Sequence, residues 1–269
     1  MVTLRGILTF WLVVLAVAPA DAKGWPTPAA GESPNGDVEI LFTFDDGPNP
    51  KTTPEVLDLL AAHHIKAVFF LLGERIEGNK AAAKLVERML REGHVIANHT
   101  MHHHDLCRLK TEEAAIRDID DGNATIEGVA HVGLPWFRTP YGVRCERVER
   151  LLAERKLHHF HWDLDPQEWK HGKLDKTVKY IIGELGRAGG REVLLLHDIK
   201  PVTVKALPEI LAWIDEENAR REKSRKHPIR ILQAPALATE QLPKGLAAWA
   251  ADVTAGARAL PGTIASVLP

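Results

Sequence analysis

Carboxylate and imidazole side chains are concentrated in a few short segments of this sequence, which has 269 residues and 14 histidines. Asp45 and Asp46 stand side by side directly before a Gly-Pro turn signal, and His99 and His103 are four residues apart. Two adjacent carboxylates are costly to bury unless a cation offsets their charge. Asp46 with His99 and His103 would make a two-histidine, one-carboxylate metal site that keeps open positions for water.

The spacing of the two histidines supports this interpretation, since residues four apart on a helical turn present their rings on one face. His102 and His104 lie in the same stretch and are competing ligand candidates. A patch of solvated surface histidines is the alternative for this segment. The Asp-Asp pair at a neighbouring strand end favours the metal site.

Further ionisable residues follow other apolar runs. Arg138 must pair with a carboxylate if it points inward, and Asp45 is the obvious partner. His197 ends a strongly apolar strand and would face the metal site, although a purely structural histidine is the alternative. Asp163 and Asp165 alternate with apolar residues, which predicts that they share one face of a strand.

Short apolar strands alternate with amphipathic helices along the chain. This order predicts a parallel sheet covered by helices, either a closed barrel or an open doubly wound sheet. The carboxyl ends of such strands meet at one rim, so the polar segments above would be gathered there. The predicted strands are 38–44, 66–72, 94–98, 134–138, 158–163, 192–197 and 229–233. The predicted helices are 53–64, 81–91, 111–129, 146–154, 174–185 and 202–220.

Composition is that of a globular chain, with 45% hydrophobic and 26% charged residues. A chain of this length can bury a sizeable core without metal or disulfide staples. The formal charge is −2, from 34 basic and 36 acidic residues. This balance argues against general nucleic-acid binding, which requires a basic footprint.

The N-terminus has the pattern of a secretory signal peptide. Arg5 precedes the apolar run 6–18, and the small residues Ala20 and Ala22 fit a cleavage site. We therefore expect residues 1–22 to be removed and the mature protein to be secreted or periplasmic. An uncleaved anchor is the alternative, but the run is shorter than the roughly 20 residues that a spanning helix needs.

The rest of the chain divides into three predicted parts. Residues 23–37 are rich in Pro and Gly and predict a flexible segment, residues 38–236 hold the domain of alternating strands and helices, and residues 237–269 form an extension, helical or loose. Cys107 and Cys145 follow two of the polar segments. An oxidising compartment would allow them to pair, and two separate buried thiols are the alternative.

Five motifs, in this order, resemble those of the polysaccharide deacetylases of the NodB-homology type, carbohydrate esterase family 4. They span residues 43–197, most of the predicted mature chain. The motifs are Thr43-Phe44-Asp45-Asp46-Gly47-Pro48, His99-Thr100-x-x-His103, Arg138-x-Pro140-Tyr141-Gly142, Asp163-x-Asp165-x-x-Glu168-Trp169 and Leu195-x-His197.

The resemblance implies a fold and a set of catalytic groups. The fold is a distorted (β/α)7-type barrel of parallel strands surrounded by helices. The implied cofactor is a divalent metal ion, usually Zn²⁺, with Co²⁺ and Ni²⁺ as alternatives, held by Asp46, His99 and His103. Asp45 is the implied general base and His197 the implied general acid.

The resemblance also assigns supporting groups. Arg138 would hold the base in place, and the backbone N–H of Tyr141 would stabilise the oxyanion. Trp169 and Leu195 would line the pocket for the acetyl methyl group. Pro140 completes the implied substrate-binding residues.

One residue departs from the family pattern. The family usually has Asp-Trp at the end of the fourth motif, where the Asp orients the acid histidine, and this chain has Glu168. Glutamate keeps the charge but reaches one methylene further. Either Glu168 or one of Asp163 and Asp165 would therefore orient His197.

The implied activity is metal-dependent hydrolysis of N-acetyl groups on polysaccharide containing N-acetylglucosamine, which gives acetate and a free amine. The glycan is peptidoglycan, a chitin-like polymer or an exopolysaccharide. Alternatives are O-acetyl ester hydrolysis on acetylated xylan-type glycans, a catalytically inactive carbohydrate-binding relative, and a hydrolase of small cyclic amides. The expected partners exclude nucleic acid, and we expect no membrane span in the mature chain.

Overall fold

The computed structural model describes residues 37–134 and 136–240. The predicted signal peptide, the segment that follows it up to residue 36, and residues 241–269 of the predicted extension therefore lie outside the described residues.

The described residues form a sheet of parallel strands in the order β5-β4-β3-β2-β1-β6, with β7 paired to the start of β1. Just after β5, Leu164 forms a bridge with Leu194 of β6, which brings the two edges of the sheet together. The result is a distorted, helix-covered barrel, as predicted. The strands are β1 (Val38–Asp45), β2 (Val68–Leu71), β3 (Val95–Asn98), β4 (Trp136–Phe137), β5 (His158–His159), β6 (Arg191–His197) and β7 (Ile229–Ile231).

Helices follow the strands and cover the outside of the sheet. Two of them begin at residues that satisfy free backbone N–H groups, because the side chains of Asn79 and Thr111 accept hydrogen bonds from the first turns of α3 and α4. The helices are α1 (Thr53–Ala62), α2 (Gly73–Ile76), α3 (Lys80–Arg91), α4 (Glu112–Ala130), α5 (Glu146–Glu154), α6 (Glu168–His171), α7 (Leu174–Arg187), α8 (Pro201–Lys223) and α9 (Ala234–Glu240). None of the helices in the described part of the chain has both the length and the apolar character that crossing a membrane requires.

The alternation of side chains along β1 separates the core from the chemistry. Phe42 and Phe44 point outward into the large cluster under the helices, whereas Leu41 belongs to a second cluster inside the barrel. Thr43 and Asp45 continue the inner face, two and four residues further on. The inner face of β1 is therefore apolar at its start and ionisable at its carboxyl end.

The barrel interior away from the carboxyl ends of the strands is filled by side chains from the strands and from α9. Leu232 and Leu237 are buried in the same cluster as Leu41. Helix α9 runs across the boundary predicted at 236/237, and its residues Ala234 and Leu237 are buried in the same cluster. The packed unit therefore extends beyond residue 236.

Several predicted strands are shorter in the structure. The strand expected over 158–163 ends at His159, so Asp163 and Asp165 do not share a strand face as predicted. The Asp163 carboxylate accepts a hydrogen bond from the Val193 N–H at 2.8 Å, and Asp165 accepts one from the Gln167 N–H at 2.8 Å. Asp163 thus binds the backbone of β6, and Asp165 binds the backbone two residues away.

Cys107 and Cys145 form a disulfide, with their Cα atoms 6.1 Å apart. The bridge joins the segment after β3 to the segment after β4. The sequence left this pairing open, and the structure shows that both cysteines pack beside a small apolar cluster against α5.

Candidate active site

The two adjacent aspartates reach the same rim because the backbone turns between them. Asp45 is the last residue of β1 and is 3% exposed, and Asp46 follows with a φ of 70°. A regular strand would send these side chains to opposite faces. The left-handed conformation at Asp46 and the Gly-Pro pair after it end the strand and turn the second carboxylate back toward the rim.

Asp46, His99 and His103 come together as predicted. The Asp46 Oδ1 atom lies 3.5 Å from His99 Nε2 and 3.3 Å from His103 Nε2. Among the described residues these three are the set of possible ligands whose donor atoms all lie within 4.8 Å of one another.

The donor set fits a divalent cation. His99 Nδ1 lies 2.7 Å from the carbonyl oxygen of Arg138 and donates to it, which leaves the Nε2 lone pair directed at Asp46. Burial lowers the pKa of His99 to about 3, so the ring is neutral, as a ligand must be. Asp46 Oδ1 is buried and accepts no hydrogen bond from the described residues. A cation would satisfy that oxygen.

The local structure behind this geometry differs from the prediction. Residues 99–103 form a loop and not a helical turn. Positive φ angles at Thr100 (78°) and His103 (57°) turn the two rings to one side instead. The competing rings lie elsewhere, since His102 contacts Glu74 at 3.3 Å and His104 contacts a carboxylate of α4 at the same distance.

Arg138 makes the predicted contact with Asp45. Its Nη1 donates to Asp45 Oδ1 at 2.7 Å and to the Thr43 hydroxyl at 2.9 Å. The guanidinium is fully buried and lies 3.9 Å from the centroid of the Phe70 ring, and its Nε donates to the Phe160 carbonyl at 3.0 Å. Burial lowers the pKa of Arg138, while the Asp45 charge acts in the opposite direction. The hydrogen bonds and the ring contact of Arg138 hold the Arg138–Asp45 pair in one orientation.

His197 contacts Glu168 and neither of the two aspartates considered with it. Glu168 Oε1 accepts from His197 Nδ1 at 2.8 Å and from the His197 backbone N–H at 2.9 Å. Burial lowers the pKa of His197, but the hydrogen bond and charge of Glu168, with the charges of Asp45 and Asp46, outweigh it, and the net shift is upward. The longer glutamate therefore serves as the carboxylate partner of this ring.

The residues expected at the substrate lie around this rim. Tyr141 is 66% exposed, and its ring centroid lies 4.6 Å from that of His103, whereas Pro140 beside it is buried. Trp169 is 45% exposed on the other side, with its ring centroid 6.4 Å from that of His197. Leu195 is buried two residues before His197, on the inner face of β6.

Three polar residues near the site, Thr43, Asp198 and Asp118, were given no role from the sequence. Thr43 binds Arg138 and could have been found from its alternation with Asp45. Asp198 is fully buried, burial raises its pKa to about 7, and it accepts a hydrogen bond from the Thr53 hydroxyl. Asp118 of α4 lies against the loop that carries the two histidines, and its place in a helical pattern gave no signal of this contact.

Comparisons with known proteins agree with the geometry. The family model described as "Polysaccharide deacetylase" matches residues 32–159. A chitooligosaccharide deacetylase of Bradyrhizobium is 37% identical over 169 residues, 62% of this chain and 74% of the relative. A peptidoglycan-N-acetylglucosamine deacetylase of Bacillus cereus is 34% identical over 194 residues, 70% of this chain and 87% of the relative.

Solved structures give the same answer for the fold. The peptidoglycan deacetylase PdaC of Bacillus subtilis superposes with a TM-score of 0.63 at 27% identity, over 85% of this chain and 100% of that one. The predicted barrel and the predicted enzyme class are confirmed. Sequence motifs, fold and relatives agree, and this chain belongs to the polysaccharide deacetylase family.

Proposed function

We propose that this protein is a metal-dependent N-deacetylase that acts on polysaccharide containing N-acetylglucosamine and releases acetate. The observation that carries the proposal is the convergence of Asp46, His99 and His103 beside a second carboxylate, Asp45, that is not needed as a ligand. The relatives named above, which act on chitooligosaccharide and peptidoglycan, support the substrate class.

The three ligand residues would hold one divalent ion, and we propose Zn²⁺, with Co²⁺ and Ni²⁺ as alternatives. When bound, such an ion lowers the pKa of a water, to about 7 in favourable zinc sites, and polarises a carbonyl. The orientation of His99 supports this role, because the hydrogen bond from Nδ1 to the Arg138 carbonyl leaves Nε2 free to bind an ion.

Asp45 would act as the general base. Its Oδ1 atom is held by Arg138 at 2.7 Å, and its Oδ2 atom lies 3.7 Å from His99 Nε2, toward the ligand set. The held oxygen fixes the carboxylate, and the other oxygen can accept the proton of an attacking water. General-base catalysis of this kind contributes roughly 10²- to 10⁴-fold to the rate.

His197 would act as the general acid on the departing amine. Because Nδ1 is bound to Glu168, Nε2 is the nitrogen that can donate a proton to the substrate. An amine leaves poorly unless it is protonated. The hydrogen bond and charge of Glu168 raise the pKa of His197, which favours the protonated form that an acid needs.

Two exposed residues of the rim, Tyr141 and Trp169, and two buried ones, Pro140 and Leu195, would form the substrate-binding site. We propose that the Tyr141 N–H stabilises the oxyanion, a contribution of a few kcal/mol for one such donor. Trp169 and Leu195 would receive the acetyl methyl group, with Pro140 shaping the same loop as Tyr141.

We also propose that the mature protein is secreted or periplasmic. The signal-peptide pattern of residues 1–22 supports this location. The disulfide between Cys107 and Cys145 is in keeping with an oxidising compartment.

Acetate release from a panel of glycans tests the proposal. Purified protein is incubated with N-acetylated chitooligosaccharide, with peptidoglycan and with O-acetylated xylan, before and after a strong chelator and after added Zn²⁺. We expect release from an N-acetylated glycan, its loss with chelator and its return with metal, and release roughly a hundredfold slower or more from an Asp45→Asn control. Release from xylan alone, or full activity in a metal-free sample, would contradict the proposal.

A further inference from the structure

The loop that carries both histidines, residues 99–104, donates half of its backbone N–H groups to one residue of α4. Asp118 accepts three of its six consecutive backbone N–H groups. The main-chain carbonyl of Asp118 accepts from Met101 at 2.7 Å, its Oδ1 from His102 at 2.8 Å and its Oδ2 from His104 at 3.4 Å.

The other three N–H groups of this loop are bound within or beside it. Asn98 Oδ1 accepts from Thr100 at 2.8 Å, and the Thr100 hydroxyl accepts from His103 at 2.9 Å. The His99 N–H donates to the Leu71 carbonyl of β2 at 2.9 Å. Asp118 thus ties the N–H groups of this loop to α4, while the Gly73 and Glu74 N–H groups of α2 donate to the Thr100 and Met101 carbonyls at 3.0 Å each.

The position of these contacts matters because the loop is strained. Thr100 and His103 both adopt positive φ angles, and for a β-branched residue such as Thr100 this conformation is a genuine outlier. Strained residues of this kind persist only where the surrounding structure holds them. The two carboxylate oxygens of Asp118 bind the N–H groups on either side of His103.

Helix α4 lies directly against the loop one turn beyond this residue. A Cβ atom at Gly122 would stand 2.6 Å from the Thr100 carbonyl carbon and 2.7 Å from the Met101 nitrogen. Asp118 and Gly122 are four apart and therefore on the same face of the helix. The buried Asp118 carboxylate and the absence of a side chain at Gly122 together allow α4 to pack directly against the loop backbone.

We propose that Asp118 is a positioning residue that sets the backbone of the His99–His104 loop and thereby the metal affinity of the site. The inference rests on the proposed function for the identity of the ligands. Its basis is the set of hydrogen bonds that Asp118 accepts from the loop, and the side-chain contact of Asp118 is with the His104 ring and not with a ligand residue.

Metal binding by the purified apoprotein tests this role without reference to activity. Zn²⁺ affinity is measured by competition with a chromophoric chelator for wild type, Asp118→Asn and Asp118→Ala. Loss of residues that orient metal ligands typically weakens affinity about 10- to 100-fold. We expect a loss in this range for Asp118→Ala and a smaller one for Asp118→Asn, which keeps one acceptor oxygen.

Two control variants separate positioning from charge. Asp121→Asn removes an exposed carboxylate from the same helix, and His104→Ala removes the ring that contacts Asp118 but keeps the backbone N–H. Both should bind Zn²⁺ within about twofold of wild type. Folded Asp118 variants that also bind within twofold would overturn the inference, as would a His104→Ala loss equal to that of Asp118→Ala.

Amide hydrogen exchange in the wild-type apoprotein gives an answer even if neither Asp118 variant folds. The inference predicts slow exchange at His102 and His104, and rapid exchange at both would overturn it. If wild type bound no divalent metal while the two amides were protected, the proposed function would be wrong. The loop geometry would still stand. Tight binding and activity in wild type and variants alike would defeat this inference alone.

Discussion

Replacing Glu168 with glutamine should lower the rate of deacetylation and move the basic limb of its pH profile to lower pH. Glu168 is 1% exposed and accepts two hydrogen bonds from His197, at 2.8 and 2.9 Å. Glutamine keeps the size and one acceptor oxygen but removes the charge. The test therefore isolates what the carboxylate does to the imidazolium.

The magnitude follows from the burial and geometry of the pair. A hydrogen bond to a charged group contributes about 1.5–3 kcal/mol. If that energy stabilises His197 in its protonated form, its loss costs about 10- to 100-fold in kcat/KM near neutral pH, at about 1.4 kcal/mol per tenfold change. Both side chains are buried, so solvent screening does not reduce the interaction.

The sign of the pH effect follows from the direction of the pKa shift. Glu168 favours protonated His197 and contributes to its raised pKa, so activity that needs the acid form is lost as pH rises through that value. Removing the negative charge lowers the pKa of His197, and the loss then begins at lower pH.

The assay is acetate release, measured as kcat/KM from about pH 5 to 10, for wild type, Glu168→Gln and Glu168→Asp. Aspartate keeps the charge and should retain the basic limb close to its wild-type position, and Asp175→Asn serves as an exposed-carboxylate control. A basic limb that stays in place or moves upward in Glu168→Gln would refute the reasoning. Equal behaviour of the two Glu168 variants would refute it as well.

Three further predictions concern the site and its supports. Alanine at His103 should lower Zn²⁺ affinity at least tenfold in a chelator competition, whereas alanine at His102 should leave it nearly unchanged, and the reverse order would exchange their roles. Loss of the disulfide in a Cys107→Ala/Cys145→Ala variant should lower the free energy of unfolding by about 4 kcal/mol for a loop of this length, and an unchanged denaturant midpoint would contradict this. Arg138→Met should cost about 3–5 kcal/mol of stability, because it leaves a buried carboxylate without its partner, and a variant as stable as wild type would show that the pair is not needed.

The rim residues could be predicted from the sequence because one rule governs them. Parallel strands end at the same side of a sheet. The convergence of Asp45, His99 and His197 therefore follows from strand direction and does not depend on the helices between the strands. The alternation along β1 also fixed which residues point inward. These parts of the site depend on strand direction and on the two-residue alternation of side chains along a strand. Both can be recognised in the local sequence pattern.

Other parts depend on contacts that no local pattern carries. The helical turn predicted for His99 and His103 is a strained loop, since three of its six backbone N–H groups bind Asp118, which lies fifteen residues after His103. Helices α2, α6 and α9 are short, and α9 owes its place to the apolar space inside the barrel. The choice of Glu168 over the nearby aspartates depends on where α6 begins relative to β6, which residue types alone do not define.

Metal content and turnover of Asp45→Asn and Asp46→Asn, measured on the same preparations, test the central claim most directly. Asp46→Asn should bind less Zn²⁺, because a neutral amide is a poorer ligand for a divalent ion. Asp45→Asn should keep the metal at the wild-type stoichiometry and lose roughly a hundredfold or more in rate, because it lacks the proton acceptor. The account would be contradicted if Asp45→Asn lost the metal while Asp46→Asn retained it, or if Asp45→Asn kept both metal and turnover.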